Sequence, residues 1–209
     1  METTPAPDSE LFHAHDSSAR CRILQAAVEA FGRRGYAATS VREIVEHAGV
    51  TKPVLYYHFG SKEGLMKAIM EQAAKAVSAV VERARLDGGT ARSQVFRLCE
   101  SLQELVRAHT SELRVVHAVY YFAPELLPTF DFRVFERLIL GELERIIDTG
   151  IQSGELRPVP TRHAAVLVAA VLGTFLDQEL SHVELPRTEL DLAPVLNLTF
   201  DGLCPSLTA

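Results

Sequence analysis

Thr51, Lys52, Val54, Tyr57 and His58 place a hydroxyl, an ammonium, a branched aliphatic group, a phenol and an imidazole within one short segment. The segment reads as a helix opening at Thr51, with Pro53 in its first turn and an end near Phe59. Proline costs little there, because the first N–H groups of a helix have no internal partner. Turning Leu55 inward leaves those five side chains on the outer face. Each can bond a phosphate oxygen or touch a base edge in a major groove. Catalysis would instead need acids and bases that are buried and bonded to one another, and the segment has none. The chain also lacks a Gly-x-Ser-x-Gly elbow, a phosphate loop, a His-Glu-x-x-His pair and a dinucleotide fingerprint. His13-x-His15, and the set His109, Glu112 and His117, lack compact metal-ligand spacing. No enzyme activity, metal or cofactor is expected.

The outward side chains need a support. Ser40-Val41-Arg42-Glu43 fits a capping box, in which a serine and a glutamate three positions apart bond each other's backbone. It opens a helix over Val41–Ala48. Gly49-Val50 makes the turn into the Thr51–Phe59 helix, and Ile44, Val45, Ala48, Val50 and Leu55 form the small core between the two. Two short helices joined by a tight turn have the dimensions of a DNA-binding helix-turn-helix. An earlier helix from Ser17, with Ile23, Leu24, Ala27, Val28 and Phe31 on one face, runs to a left-handed stop at Gly35. Phe31, Tyr36 and Phe59 are expected as apolar anchors.

The charge pattern agrees. The 209 residues carry a net charge of −6, which alone argues against a nucleic-acid partner. Residues 17–62 nevertheless hold Arg20, Arg22, Arg33, Arg34, Arg42, Lys52 and Lys62 against Glu29, Glu43 and Glu46. A small basic module therefore precedes an acidic body, an asymmetry that suits one end meeting phosphate. Apolar residues at 47% and charged residues at 23% describe a globular chain with one sizeable core or two smaller ones. The three cysteines, Cys21, Cys99 and Cys204, make no disulfide framework. The longest uncharged run, His163 to Leu176, is shorter than a membrane span of about 18 residues. No basic start with an apolar run directs secretion. A cytoplasmic protein with no membrane partner is expected.

The run Thr39-Ser40-Val41-Arg42-Glu43-Ile44-Val45-Glu46-His47-Ala48-Gly49-Val50-Thr51-Lys52-Pro53-Val54-Leu55-Tyr56-Tyr57-His58-Phe59-Gly60-Ser61-Lys62-Glu63-Gly64-Leu65 resembles the N-terminal domain of TetR-family transcriptional regulators. Ala30-Phe31 and Gly35-Tyr36 fit the same pattern, and the resemblance covers residues 19–66. Val45 departs from it, since the family more often carries alanine there. The resemblance implies a homodimeric repressor that binds a palindromic operator and is released by a small molecule. It puts Thr39, Ser40 and Arg42 on the DNA backbone. It puts Thr51, Lys52, Pro53, Val54 and Tyr57 on the base-facing part of the recognition helix. Tyr56, His58 and Lys62 take phosphate-contacting positions.

The rest of the chain reads as all-α, for about nine helices in total. After a disordered tail over 1–16 and the DNA-binding domain over 17–62, a ligand-binding and dimerisation domain fills 63–209. Its helices are expected from Ser61 to Leu86, Thr90 to Ala108, Ser111 to Phe122, Phe130 to Ser153, Thr161 to His182, and Thr188 to Leu203 with a kink at Pro194. Phe96, Tyr120, Tyr121, Phe135 and Phe175, with Leu102, are expected to line a mainly apolar ligand pocket. Cys99, His117 and Gln178 are its orienting groups, and the effector is expected to be hydrophobic. The helix through Ala164–Phe175 is apolar all round and calls for cover on more than one side. A homodimeric bundle with Leu190, Leu192, Val195, Leu196, Leu198 and Phe200 of the last helix supplies it. An activator of the same fold, a partner-binding protein with a vestigial DNA-binding motif, and an enzyme housed in the helical body remain open alternatives.

Overall fold

The computed structural model describes residues 18–122, 130–181 and 191–203, without the side chain of Phe122. Among these there are nine helices and no strand. They are α1 (Ala19–Ala38), α2 (Val41–Ala48), α3 (Lys52–Phe59), α4 (Lys62–Leu86), α5 (Ala91–Ala108), α6 (Thr110–Phe122), α7 (Arg133–Gln152), α8 (Thr161–Leu180) and α9 (Leu192–Asp201). The tail expected over 1–16 lies outside the described residues, as do Leu190, Cys204 and the start expected for the last helix.

Two compact units form. One holds residues up to Ala76 together with Ala108–Phe132; the other holds Val77–Arg107 and the chain from Arg133 onward. The sequence placed the boundary at 62, whereas the contacts divide the chain inside α4. In the first unit α1 packs on α2, α3 and α6. Ile23, Ala27, Ile44, Leu55, Leu65 and Met66 are fully enclosed there. In the second unit α7 packs on α8, and α8 on α9. Glu142 is buried in that unit, and its carboxylate takes the Arg85 Nε at 2.6 Å and the Arg145 guanidinium at 2.7 Å. Two guanidiniums compensate the desolvation that a buried carboxylate would otherwise suffer.

Three local expectations change. Gly35 interrupts α1 with φ 78°, but the chain resumes a helical turn as far as Ala38. Pro194 does not kink α9; Asp191 is extended at its start, so the proline falls in the first turn. Leu192, Leu196 and Phe200 are not outward-facing dimer residues. Spaced four apart, they share one face of α9 and are buried within their own subunit. The exposed apolar residues of this region are Leu198 on α9 with Val166 and Leu167 on α8. By length and composition α8 is the one described helix apolar enough to cross a membrane, with 28% of its most apolar window buried.

Candidate nucleic-acid interface

The recognition helix is held from three sides. At its entry, the capping box of α2 is complete: Ser40 Oγ accepts from Glu43 N at 3.2 Å, and Glu43 Oε2 accepts from Ser40 N at 2.8 Å. Those bonds, Ser40's first, hold the Glu43 carboxyl below its ordinary value, with the Arg34 guanidinium adding to them. Gly49 ends α2 in the left-handed conformation at φ 62°, which a side chain would resist. Val50 N then donates back to Val45 O at 3.0 Å, closing the turn. The core beneath it is as the pattern required, with Ile44, Val45, Ala48 and Leu55 buried and Val50 half-buried.

At the exit of α3 the contact is closer still. A Cβ on Gly64 would stand 2.0 Å from the Phe59 carbonyl oxygen. Only glycine lets the first turn of α4 press against the end of the recognition helix. Ser61 Oγ caps that turn by accepting from Gly64 N at 2.9 Å. From the α1 side, Arg22 Nε donates to Ala48 O at 3.2 Å, and the Arg20 guanidinium lies 5.4 Å from the Phe59 ring centre.

What this frame presents is the outer face of α3. Tyr57 is 85% exposed and Tyr56 47%, while Thr51, Lys52, Pro53 and His58 are exposed and Val54 is half-buried. The Tyr57 and His58 rings meet edge-on with centres 5.1 Å apart. Lys62, at the start of α4, lies with its Nζ 4.3 Å from the Tyr36 ring centre. Burial lowers its pKa, opposed by the charge of Glu43, and burial raises that of the Tyr36 phenol. Tyr36 is thus half platform, half core, rather than an apolar anchor alone.

Two of the expected backbone contacts sit differently. Thr39 is 2% exposed, and its hydroxyl lies 3.1 Å from Ala30 O and 2.8 Å from Gly35 O. Its side chain ties the turn after α1 instead of facing phosphate. Arg42 is exposed, but its Nε is paired to Glu46 Oε1 at 2.7 Å, one turn along α2. Exposed pairs of this kind are weak and screened by salt, so a phosphate can displace the glutamate. Sequence reasoning counted Arg20 and Arg22 only as charges of the basic module and gave Gly64 no positioning role; the short spacing of Gly64 from Ser61 was the available signal for the last.

The expected pocket residues fall in both units. Phe96, Phe175 and Gln178 line one cavity of the second unit, of about 330 Å³. Cys99 and Leu102, also of that unit, are core side chains. Burial, with the Glu100 charge, pushes the Cys99 thiol up to about 12, so it stays protonated and unreactive at neutral pH. Phe135 is half-buried in the same unit. His117, Tyr120 and Tyr121 belong to the first unit, where their rings pack on one another with centres 4.7 and 4.8 Å apart.

A basic module that fixes two short helices at a tight turn and exposes the second is a helix-turn-helix DNA-binding domain. Residues 23–69 match the family described as bacterial regulatory proteins, tetR family. The chain is 26% identical over 195 residues to the HTH-type transcriptional regulatory protein RaaS of Mycobacterium tuberculosis, covering 92% of this chain and 84% of that one. It is 29% identical over 159 residues to the A-factor receptor protein of Streptomyces griseus, covering 75% of this chain and 54% of that protein. A crystal structure of a gamma-butyrolactone receptor aligns over 90% of this chain and 89% of that one, with a TM-score of 0.69 and 25% identity. Residues 23–69 thus carry a TetR-family DNA-binding domain, and the chain is similar to TetR-family transcriptional regulators over most of its length.

Proposed function

We propose that this regulator is a homodimeric, cytoplasmic repressor that holds a palindromic operator and leaves it when a small molecule binds the helical body. The observation that carries the reading is the rigidly framed outer face of α3, where Tyr57 stands 85% exposed beside Lys52 and His58. Side chains with so little intramolecular packing are available for a groove. In this reading Thr51, Lys52, Pro53, Val54 and Tyr57 face the bases. Ser40, Arg42, Tyr56, His58 and Lys62 take phosphates, Lys62 with the N–H groups that open α4.

Dimerisation is supported by the apolar residues left uncovered, Val166, Leu167 and Leu198, at 47, 50 and 74% exposure. One module with a small excess of cations also holds DNA weakly by itself, whereas two read two half-sites about one helical turn apart. Response to a ligand is supported by the cavity of the second unit, and by similarity to proteins named as receptors for A-factor and for a gamma-butyrolactone. Because α4 contributes to both units, a ligand-dependent shift of its C-terminal part carries to the spacing of the recognition helices. The ligand acts only to the extent that it binds the non-binding arrangement more tightly.

The test is selection of genomic fragments on the purified protein, followed by anisotropy on the enriched sequence at several salt concentrations. A palindromic fragment bound with steeply salt-dependent affinity is expected, at one dimer per site. Absence of enrichment over bulk DNA refutes the reading.

A further inference from the structure

The cavity of the second unit has a composition that selects among effectors. Phe96, Glu100, Gln103 and Arg107 recur at the spacing of one face of α5, and all four line it. α8 adds Phe175, Gln178 and Glu179, and Asp191 stands at the start of α9. Arg107 Nε lies 3.9 Å from Glu179 Oε1, so one carboxylate is balanced by the only cation among the described lining residues. Glu100 and Asp191 are in excess of it. Asp191 occupies the position preceding α9, where a carboxylate ordinarily caps the helix, yet its side chain makes no capping bond. Gln103 is 9% exposed, and its amide makes no hydrogen bond among the described residues.

Two aromatic rings with two surplus carboxylates are complementary to a positively charged organic molecule. An anion would meet both carboxylates and the electron-rich ring faces, whereas a cation gains from each. The Phe96 ring already has the Arg92 guanidinium 5.9 Å from its centre, which shows that a cation is accommodated beside it.

We propose that this cavity binds an organic cation carrying an aromatic or apolar body, with Glu100 and Asp191 facing the charge, Phe96 and Phe175 the body, and the Gln103 amide orienting it. The proposal rests on the ligand-responsive reading above and narrows the effector from merely hydrophobic to amphipathic and positive.

The test is calorimetric titration of the full-length protein with three probes sharing one ring system: (2-naphthylmethyl)trimethylammonium, 2-naphthylmethanol and 2-naphthylacetate. The cation is expected to bind at least about tenfold more tightly than either other probe, with affinity that falls as salt rises. The double substitution Glu100→Gln and Asp191→Asn is expected to weaken the cation by about tenfold and leave the neutral probe within twofold. Both side chains are exposed, so the variant's melting temperature checks that its fold is retained. Equal or tighter binding of the carboxylate overturns the proposal, as does a cation affinity unmoved by the double substitution, or no binding of any probe. Operator binding by the same ligand-free protein, and its release by some other small molecule, are read separately. Their success alongside failure of the cation overturns the charge assignment alone.

Discussion

Tyr57→Ala separates DNA recognition from folding more cleanly than any other change in the interface. Its side chain is 85% exposed and meets only the His58 ring, edge-on at 5.1 Å, among the contacts described for it. Truncation at so exposed a position moves stability by no more than about 0.5 kcal/mol. A base contact in the groove is worth about 1–3 kcal/mol, and a symmetric dimer makes it twice. The operator affinity of the variant should therefore fall by about 2–6 kcal/mol, a factor of roughly thirty to twenty thousand. Affinity for random DNA, which rests on phosphate contacts, should change by less than about threefold. Fluorescence anisotropy with operator and scrambled duplexes at one salt concentration gives both numbers, and thermal melting gives the third. Tyr57→Phe then divides the loss between hydroxyl and ring. Operator binding within twofold of the parent, at unchanged melting temperature, would refute the assignment of Tyr57 to the bases. Equal losses on both duplexes would reassign it to the backbone.

Gly64→Ala puts a methyl where the Phe59 carbonyl oxygen stands 2.0 Å away, so the end of α3 must move; a loss of about 2 kcal/mol or more in stability, with weakened operator binding, is expected by melting and anisotropy. Thr39→Val keeps the volume and removes a buried hydroxyl held by Ala30 O and Gly35 O, costing about 1–2 kcal/mol in denaturant unfolding while the salt slope of DNA binding stays as it was. Glu142→Gln leaves Arg85 and Arg145 without their shared charge in the second unit, for a loss of about 2 kcal/mol and about 5 °C in melting temperature. Because the Glu43 carboxyl is held below its ordinary value, its contribution is complete above the ordinary carboxylate range and is lost as pH falls through the lowered value. Glu43→Gln should therefore flatten the acid limb of stability against pH, measured by denaturant midpoints between pH 3 and 6.

The helix-turn-helix was legible because each of its boundaries is written in local chemistry. The capping box and the glycine at the turn fix α2 to the residue, and the early proline and Ser61 bring the starts of α3 and α4 to within one residue. The position of Thr39 was not legible. Its hydroxyl is committed to carbonyls of α1, a tertiary arrangement made possible by the break at Gly35, and a threonine before a serine cap carries no sign of that. The face of α9 was equally hidden. Leu192, Leu196, Leu198 and Phe200 are all apolar, and sequence cannot say which of two apolar faces meets the subunit's own core. Nor does periodicity say that α6 packs on α1 and so joins the first unit; that pairing is set by contacts far apart in the chain.

The distribution of charge ties recognition to assembly. Seven cations precede residue 63, but Arg34 and Arg42 are engaged with Glu43 and Glu46, and Arg22 donates to the Ala48 carbonyl. Arg20 lies beside the Phe59 ring, and Lys62 beside that of Tyr36. Much of the module's positive charge thus serves first to hold α1, α2, α3 and α4 in register. A module built this way sacrifices raw attraction to phosphate for a fixed orientation of α3. Affinity contributed per phosphate is small and screened by salt, whereas contacts fixed in register discriminate between sequences. A single copy of such a module discriminates well and holds weakly. In the proposed homodimer, pairing two copies adds a second set of both contacts without loosening either frame, which complements a rigid and sparsely cationic head.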